Sequence, residues 1–168
     1  MTISMYQASA PRFVNTLKNL SAILDKAQAH AEAKKIDPLV LTGARLYPDM
    51  FALARQVQTA CDTAKGAVAR LAGADNPRHE DTEKTISELK ERIAKTIAFI
   101  ETFKPAQIDG TEEKDLVIKL GPREVQWKGM QYLLGFALPN FYFHAATAYG
   151  ILRHNGVELA KRDFIGNV

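Results

Sequence analysis

Asn140 and His144 stand four residues apart in PNFYFHAATAYGILRHNG, the only stretch where two histidines lie close together among aromatics. At that spacing the two side chains stack on one face of a helix. Metal-binding bundles use paired histidines at this interval because both imidazoles then reach one ion. Here the first position is an amide, a poor ligand for zinc or nickel. The simpler reading is that His144 hydrogen-bonds to a buried carbonyl or carboxylate. His154 follows ten residues later, about a quarter turn away at 3.6 residues per turn, so the two rings cannot chelate one ion from a straight helix. It falls before Asn155-Gly156, where a cation complements the helix dipole.

Asp49 is the other candidate. It precedes Gln56 by seven residues, nearly on one stripe with Leu53 between them. A carboxylate at a helix start could orient a histidine or hold a metal. Complementing the helix dipole is its plainer role, with Arg45 as a partner. Together Asp49, Asn140, His144 and Tyr149 define a candidate ligand pocket. No metal is expected, and His144 and Asp49 are the weak candidates if one is bound. Cys61 lies on an apolar stripe with Ala54, Val57 and Ala64, without a neighbouring base, and reads as a small buried hydrophobe. His30 and His79 stand among polar residues and suggest no role. No Ser-His-Asp arrangement, phosphate loop or dinucleotide turn is present.

These residues need elements to position them. Phe13, Leu17, Leu20, Leu24, Ala27 and Ala31 recur at helical spacing over about 4–35, with Pro11 either a kink or the true start. LVLTGARLY suggests a short helical turn. Pro48 suits a first helical position, and Met50, Leu53, Val57, Cys61, Ala64, Val68 and Leu71 make a second helix closing at Gly73. Ile86, Leu89, Ile93, Ile97 and Ile100 make a third, capped by Asp81 or Thr82 and ending before Pro105. KDLVIKL and REVQW around Gly121-Pro122 suggest a hairpin, although its turn is not a preferred two-residue type. The last helix runs from about 129 to 155, is apolar nearly all round, and should kink at Pro139. The expected fold is all-α: an up-down four-helix bundle with a small β-hairpin before the last helix.

The chain has 168 residues, 46% hydrophobic and 24% charged, which suits one domain over 1–168 with a sizeable core. A formal charge of +3, with acidic residues interspersed, gives no basic stripe of the kind nucleic-acid binders carry. The nearest, Arg153, His154, Lys161 and Arg162, is broken by Glu158 and Asp163. One cysteine excludes an internal disulfide. The start lacks a signal-peptide pattern, and runs such as LLGFAL are far too short to span a membrane. The expectation is a cytoplasmic protein with neither nucleic-acid nor membrane partners. The surplus apolar face of the last helix points to a homodimer, with Trp127 anchoring the hairpin over part of it.

The stretches MYQASAPRFVNTLKNLSAILDKA, ARLYPDMFALARQVQTACDTAKGAVARLAG and PNFYFHAATAYGILRHNGVELAKRDF resemble one family of the DinB/YfiT-like superfamily. It is the domain-of-unknown-function family numbered nineteen ninety-three, and the resemblance covers essentially the whole chain. It implies a helical bundle, often dimeric. Many superfamily members hold a divalent metal by one histidine on the second helix and a His-x-x-x-His pair on the last, before Leu-Arg-x-x-Gly. Counted back from Leu152-Arg153-His154-Asn155-Gly156, the second histidine falls on His144 and the first on Asn140. PDMFALARQVQ contains no histidine. The resemblance therefore implies a degenerate metal site in a small-ligand-binding or structural protein. The alternative is a metal- or thiol-dependent transferase with an altered ligand set such as Asp49 and His144.

Overall fold

Prolines and capping residues set where the helices begin. The computed structural model describes residues 2–166, and the chain is mostly helical. α1 (Met5–Ala8) starts with a reciprocal cap between Ser4 and Gln7. It breaks at Ser9, whose hydroxyl donates to the Met5 carbonyl at 2.6 Å. α2 (Ala10–Lys34) carries Pro11 in its first turn, where the missing N–H has no partner to lose. Pro11 thus marks a start rather than a kink. The stripe from Phe13 to Ala31 is buried as the spacing predicts. Asp37 caps α3 (Pro38–Gly43) by accepting from the Leu39 N–H at 2.9 Å.

The second long helix begins later than expected. α4 (Leu53–Ala72) starts five residues beyond Pro48, and residues 47–50 form a turn closed by the Met50 N–H on the Tyr47 carbonyl. The Leu53 N–H donates to the Ala44 carbonyl at 2.9 Å, which ties off this loop before the helix can extend backwards. At the far end Gly73 takes φ 70°, the left-handed cap that favours glycine. α5 (Ile86–Glu101) is capped by Thr85 with Glu88, not by Asp81 or Thr82. Asp81 is engaged elsewhere, on Arg92 and Arg55. α6 (Pro105–Ile108) follows.

β1 (Asp115–Leu120) and β2 (Arg123–Lys128) pair antiparallel, with Leu116 opposite Trp127 and Ile118 opposite Val125. Gly121, first of the two turn residues, sits at φ 58°. Glycine there supplies the positive φ that a tight hairpin needs, so the turn is better suited than its sequence suggests. α7 (Gly129–Tyr132) leads into a π-helical turn, Leu133–Ala137, and then α8 (Leu138–His154). The expected Pro139 break is absorbed here. Proline has no N–H and crowds the carbonyl four residues back. The turn just before it widens so that the Leu138 N–H reaches the Leu133 carbonyl. α9 (Lys161–Ile165) is the last element among the described residues.

The four long helices pack in a ring, α2 on α5, α5 on α4, α4 on α8 and α8 back on α2. One apolar cluster runs from Met5 to Leu159 through all of them. The all-round apolar last helix is covered in part. Trp127 of the hairpin stacks on Phe136 at 5.3 Å, and Phe164 of α9 meets Tyr149 edge-on at 6.0 Å. Leu134 and Phe143 stay exposed. Among the described residues no helix is long and apolar enough to cross a membrane.

Candidate functional site

α4 and α8 run antiparallel and bring their polar residues together in two pairs. Asn140 Nδ2 donates to Thr63 Oγ1 at 2.9 Å. His144 Nδ1 lies 2.7 Å from Gln56 Oε1, and both side chains are buried. Gln56 is oriented from its other end, because its Nε2 donates to the Phe51 carbonyl at 3.2 Å. A flipped amide would set two oxygens against each other there. Oε1 therefore faces the imidazole and can only accept, so Nδ1 carries the proton and Nε2 keeps its lone pair.

The Nε2 atom makes no hydrogen bond among the described residues, yet it is not sealed from solvent. The imidazole has two aromatic neighbours. Phe51 stacks against His144 at 6.3 Å and 16°, and Phe143 meets it edge-on at 5.2 Å; both phenyl rings are about half exposed. Arg55 lies over the Phe51 ring at 5.6 Å. Burial, and then the Arg55 charge, hold the His144 pKa below its usual 6.5. The result is a neutral imidazole of fixed tautomer, offering one acceptor at an apolar lip.

The other sequence candidates are placed apart from it. Asp49 lies exposed in the 47–50 turn, because the helix it was expected to start begins at Leu53. Arg45 donates to the Pro48 carbonyl instead of pairing with Asp49. Tyr149 packs on Phe164; five residues past His144 it points about 140° round the helix. Asn140 faces α4 as His144 does, one turn earlier. Sequence reasoning missed Phe51, which no periodic pattern marks, and it saw Gln56 only as a neighbour of Asp49. Gln56 alternates with Leu53, Val57 and Ala60 on a buried face, and a lone amide at such a position is the signal that could have found it.

A family profile for the Domain of unknown function (DUF1993) matches residues 5–165. The chain belongs to the DUF1993 family. A crystal structure of a DinB family member protein from Shewanella denitrificans, at 1.83 Å resolution, is similar throughout. It shares 45% identity with a TM-score of 0.88, over 97% of this chain and 92% of that one. No curated protein matches the sequence.

In this DUF1993 chain the residues do not fit the three-histidine metal set that the superfamily resemblance implies. The α4 side chain facing His144 is Gln56, Asn140 turns its amide nitrogen to Thr63, and Nε2 of His144 is left as a single donor atom. Among the described residues no group of three His, Cys, Asp or Glu side chains is placed to hold a metal ion.

This DUF1993 chain holds a second polar centre that the sequence did not announce. Arg92 of α5, with its side chain 1% exposed, pairs with Asp62 of α4 at 3.0 Å, Asp81 at 3.2 Å and Glu83 at 2.9 Å. Lys65, also buried, pairs with Asp62 at 3.1 Å and donates to the Pro77 carbonyl. Cys61 lies beneath, its thiol pushed up to about 12 by burial, with Thr96 beside it. Arg92 adjoins the Leu89–Ile93 stripe of α5, and the PRHEDTE loop supplies two of its carboxylates.

Truncating His144 to alanine is expected to cost on the order of 1–3 kcal/mol, since it leaves a hole and an unpaired buried Gln56. His154 is exposed in the last turn of α8, and its alanine variant should lose only a few tenths to about 1 kcal/mol. The pH dependence has a definite sign. Because the folded pKa of His144 lies below 6.5, the unfolded chain takes up the proton first as pH falls. Its contribution is full above 6.5 and declines as pH drops from there towards the folded value. Urea midpoints of the two variants across that window check both statements. Equal midpoints would place His144 outside the packed interior.

Proposed function

We propose that this chain is a single-domain, up-down four-helix bundle that binds a small ligand at His144, through a degenerate metal site that no longer works with metal. The carrying observation is the Gln56–His144 pair. Gln56 holds Nδ1–H, so that Nε2 presents a neutral lone pair on a ring with Phe51 and Phe143 as neighbours. The ligand this favours has an apolar or aromatic body and one O–H or N–H donor. The rings take the body, and Nε2 accepts the donor's hydrogen bond without proton transfer. The ring of helix contacts and the continuous core support the bundle and single-domain readings. An altered metal set of Asp49 and His144 is disfavoured by the exposed position of Asp49.

Histidine-selective nitrogen NMR tests the site. Phenol or indole should shift Nε2 of His144 saturably while Nδ1 stays protonated, and His144→Ala should abolish binding. Protein purified without a histidine tag should hold well under one equivalent of zinc or nickel. Metal near one equivalent, lost in His144→Ala, would overturn the degenerate-site reading in favour of the transferase.

We further propose a homodimer. Ile3, Met130 and Leu134 are exposed around an apolar cleft at the π-helical turn, a surface that a two-fold contact would bury while leaving the His144 lip open. Sedimentation at micromolar concentration should give twice the 18.6 kDa chain mass. A clean monomer mass, or a dimer that persists unchanged in Leu134→Glu, would refute this interface.

A further inference from the structure

Residues 74–84, between α4 and α5, form neither helix nor strand. The segment is longer than the usual connection between elements of a compact fold, which runs to about 4–6 residues. This strap is fastened by charge. Asp81 and Glu83 reach Arg92, the Pro77 carbonyl accepts from Lys65, and Glu83 also accepts from Gln58 at 3.0 Å. Burying charge is unfavourable unless every group is well paired, so such a centre calls for a reason.

The pairing here is incomplete. Four buried side-chain polar atoms lack a hydrogen-bond partner among the described residues: Asp62 Oδ1, His79 Nδ1, Arg92 Nε and Thr96 Oγ1. All four lie at this centre. Asp62 Oδ1 still has Lys65 and Arg92 within ion-pair range, and Thr96 has Cys61. Arg92 Nε and His79 Nδ1 have nothing comparable. Unpartnered buried groups are rare in folded proteins, and a water, ion or ligand is a common explanation.

Both residues line a cavity of about 470 Å³ between the strap and α5, within the range of small-molecule sites. Its charges decide what would fit. Glu83 is engaged by Arg92 and Gln58, and Glu88 accepts from the Lys84 and Thr85 N–H groups. That leaves two cations, Arg78 and Lys95, and two carboxylates, Glu80 and Glu91, on the wall with no ion pair among the described residues. A simple anion would meet the two glutamates, and a simple cation would meet Arg78 and Lys95. A molecule bearing both charges satisfies both pairs.

We propose that the chamber under the strap binds a small zwitterion of the amino-carboxylate class. Its carboxylate approaches Arg92 Nε, His79, Arg78 and Lys95, and its ammonium approaches Glu80 and Glu91. Arg92 Nε and His79 Nδ1 are sealed from solvent, so the strap shifts as the ligand enters. This site is separate from the His144 lip, and neither reading depends on the other.

Amide NMR of the nitrogen-labelled full chain provides the test. Glycine, γ-aminobutyrate and ε-aminocaproate are titrated alongside butyrate and butylamine. At least one amino carboxylate should shift amides of 78–83 and 91–96 saturably, with a Kd on the order of 1 mM and at least tenfold tighter than either singly charged control. Glu91→Gln and Lys95→Gln, at exposed positions outside the buried network, should fold normally and each weaken binding about tenfold. Equal binding of butyrate would make this a plain anion site and overturn the proposal. So would an absence of saturable shifts with all three amino carboxylates, or unchanged affinity in both variants.

Discussion

Arg92→Ala is expected to destabilise the protein by roughly 1–3 kcal/mol, because the guanidinium is buried while Asp62 and Asp81 remain partly open to solvent. Asp62 would then keep Lys65 and Asp81 would keep Arg55, while Glu83 would have no ion-pair partner among the described residues. Loss of Arg92 also removes its hydrogen bond to the Glu80 carbonyl at 2.9 Å, so the strap should detach locally as well. Urea denaturation, with hydrogen exchange of the strap amides, reads both effects. A loss below about 1 kcal/mol would mean that the network is as weak as an exposed ion pair.

Phe141→Ala is the second large effect, at about 3–5 kcal/mol. The ring is fully buried and meets Phe13 of α2 edge-to-face at 4.8 Å and 81°. Its removal deletes that aromatic pair and opens a void in the contact between α2 and α8. Phe143, two residues along, is 56% exposed, and its alanine variant should change stability by only about 0.5 kcal/mol while weakening ligand binding at His144. Thermal melts of the two variants separate the roles. Similar losses in both would mean that α8 is rotated from the orientation described.

Much of this arrangement is legible in the sequence, for reasons that differ by element. The stripes of α2, α4 and α5 have clear helical periods, and Gly73 sits where a left-handed cap is needed. Trp127 as the hairpin's anchor also follows from the sequence, because an unpartnered aromatic face requires a cover. The start of α4 does not. Pro48 and Asp49 form a good local start signal, but the Ala44–Leu53 bond closes a loop across them, and that bond is tertiary. For the same reason the pocket expected from Asp49, Asn140, His144 and Tyr149 comes apart. Helical spacing places Asn140 and His144 on one face, while Phe51 arrives from a loop whose path has no sequence period. The Arg92 centre was hidden because its members are scattered over two helices and a connection, and each alone reads as solvated charge.

The π-helical turn at 133–137 has a consequence for how the two ends of the last helix relate. Each residue of an α-helix turns the chain by about 100°, so one additional residue in a wide turn offsets the angular phase of everything before it relative to everything after. Tyr132, Phe136 and the hairpin are set by one phase, and Phe141, His144 and Ile151 by the other. Deleting Gly135 would put both ends on a single phase, return Pro139 to crowding the carbonyl four residues back, and swing Trp127's docking side away from the face it now covers. The turn is in effect an angular gear between hairpin and imidazole, and a relative with a residue more or fewer here would present the same two parts at a different angle.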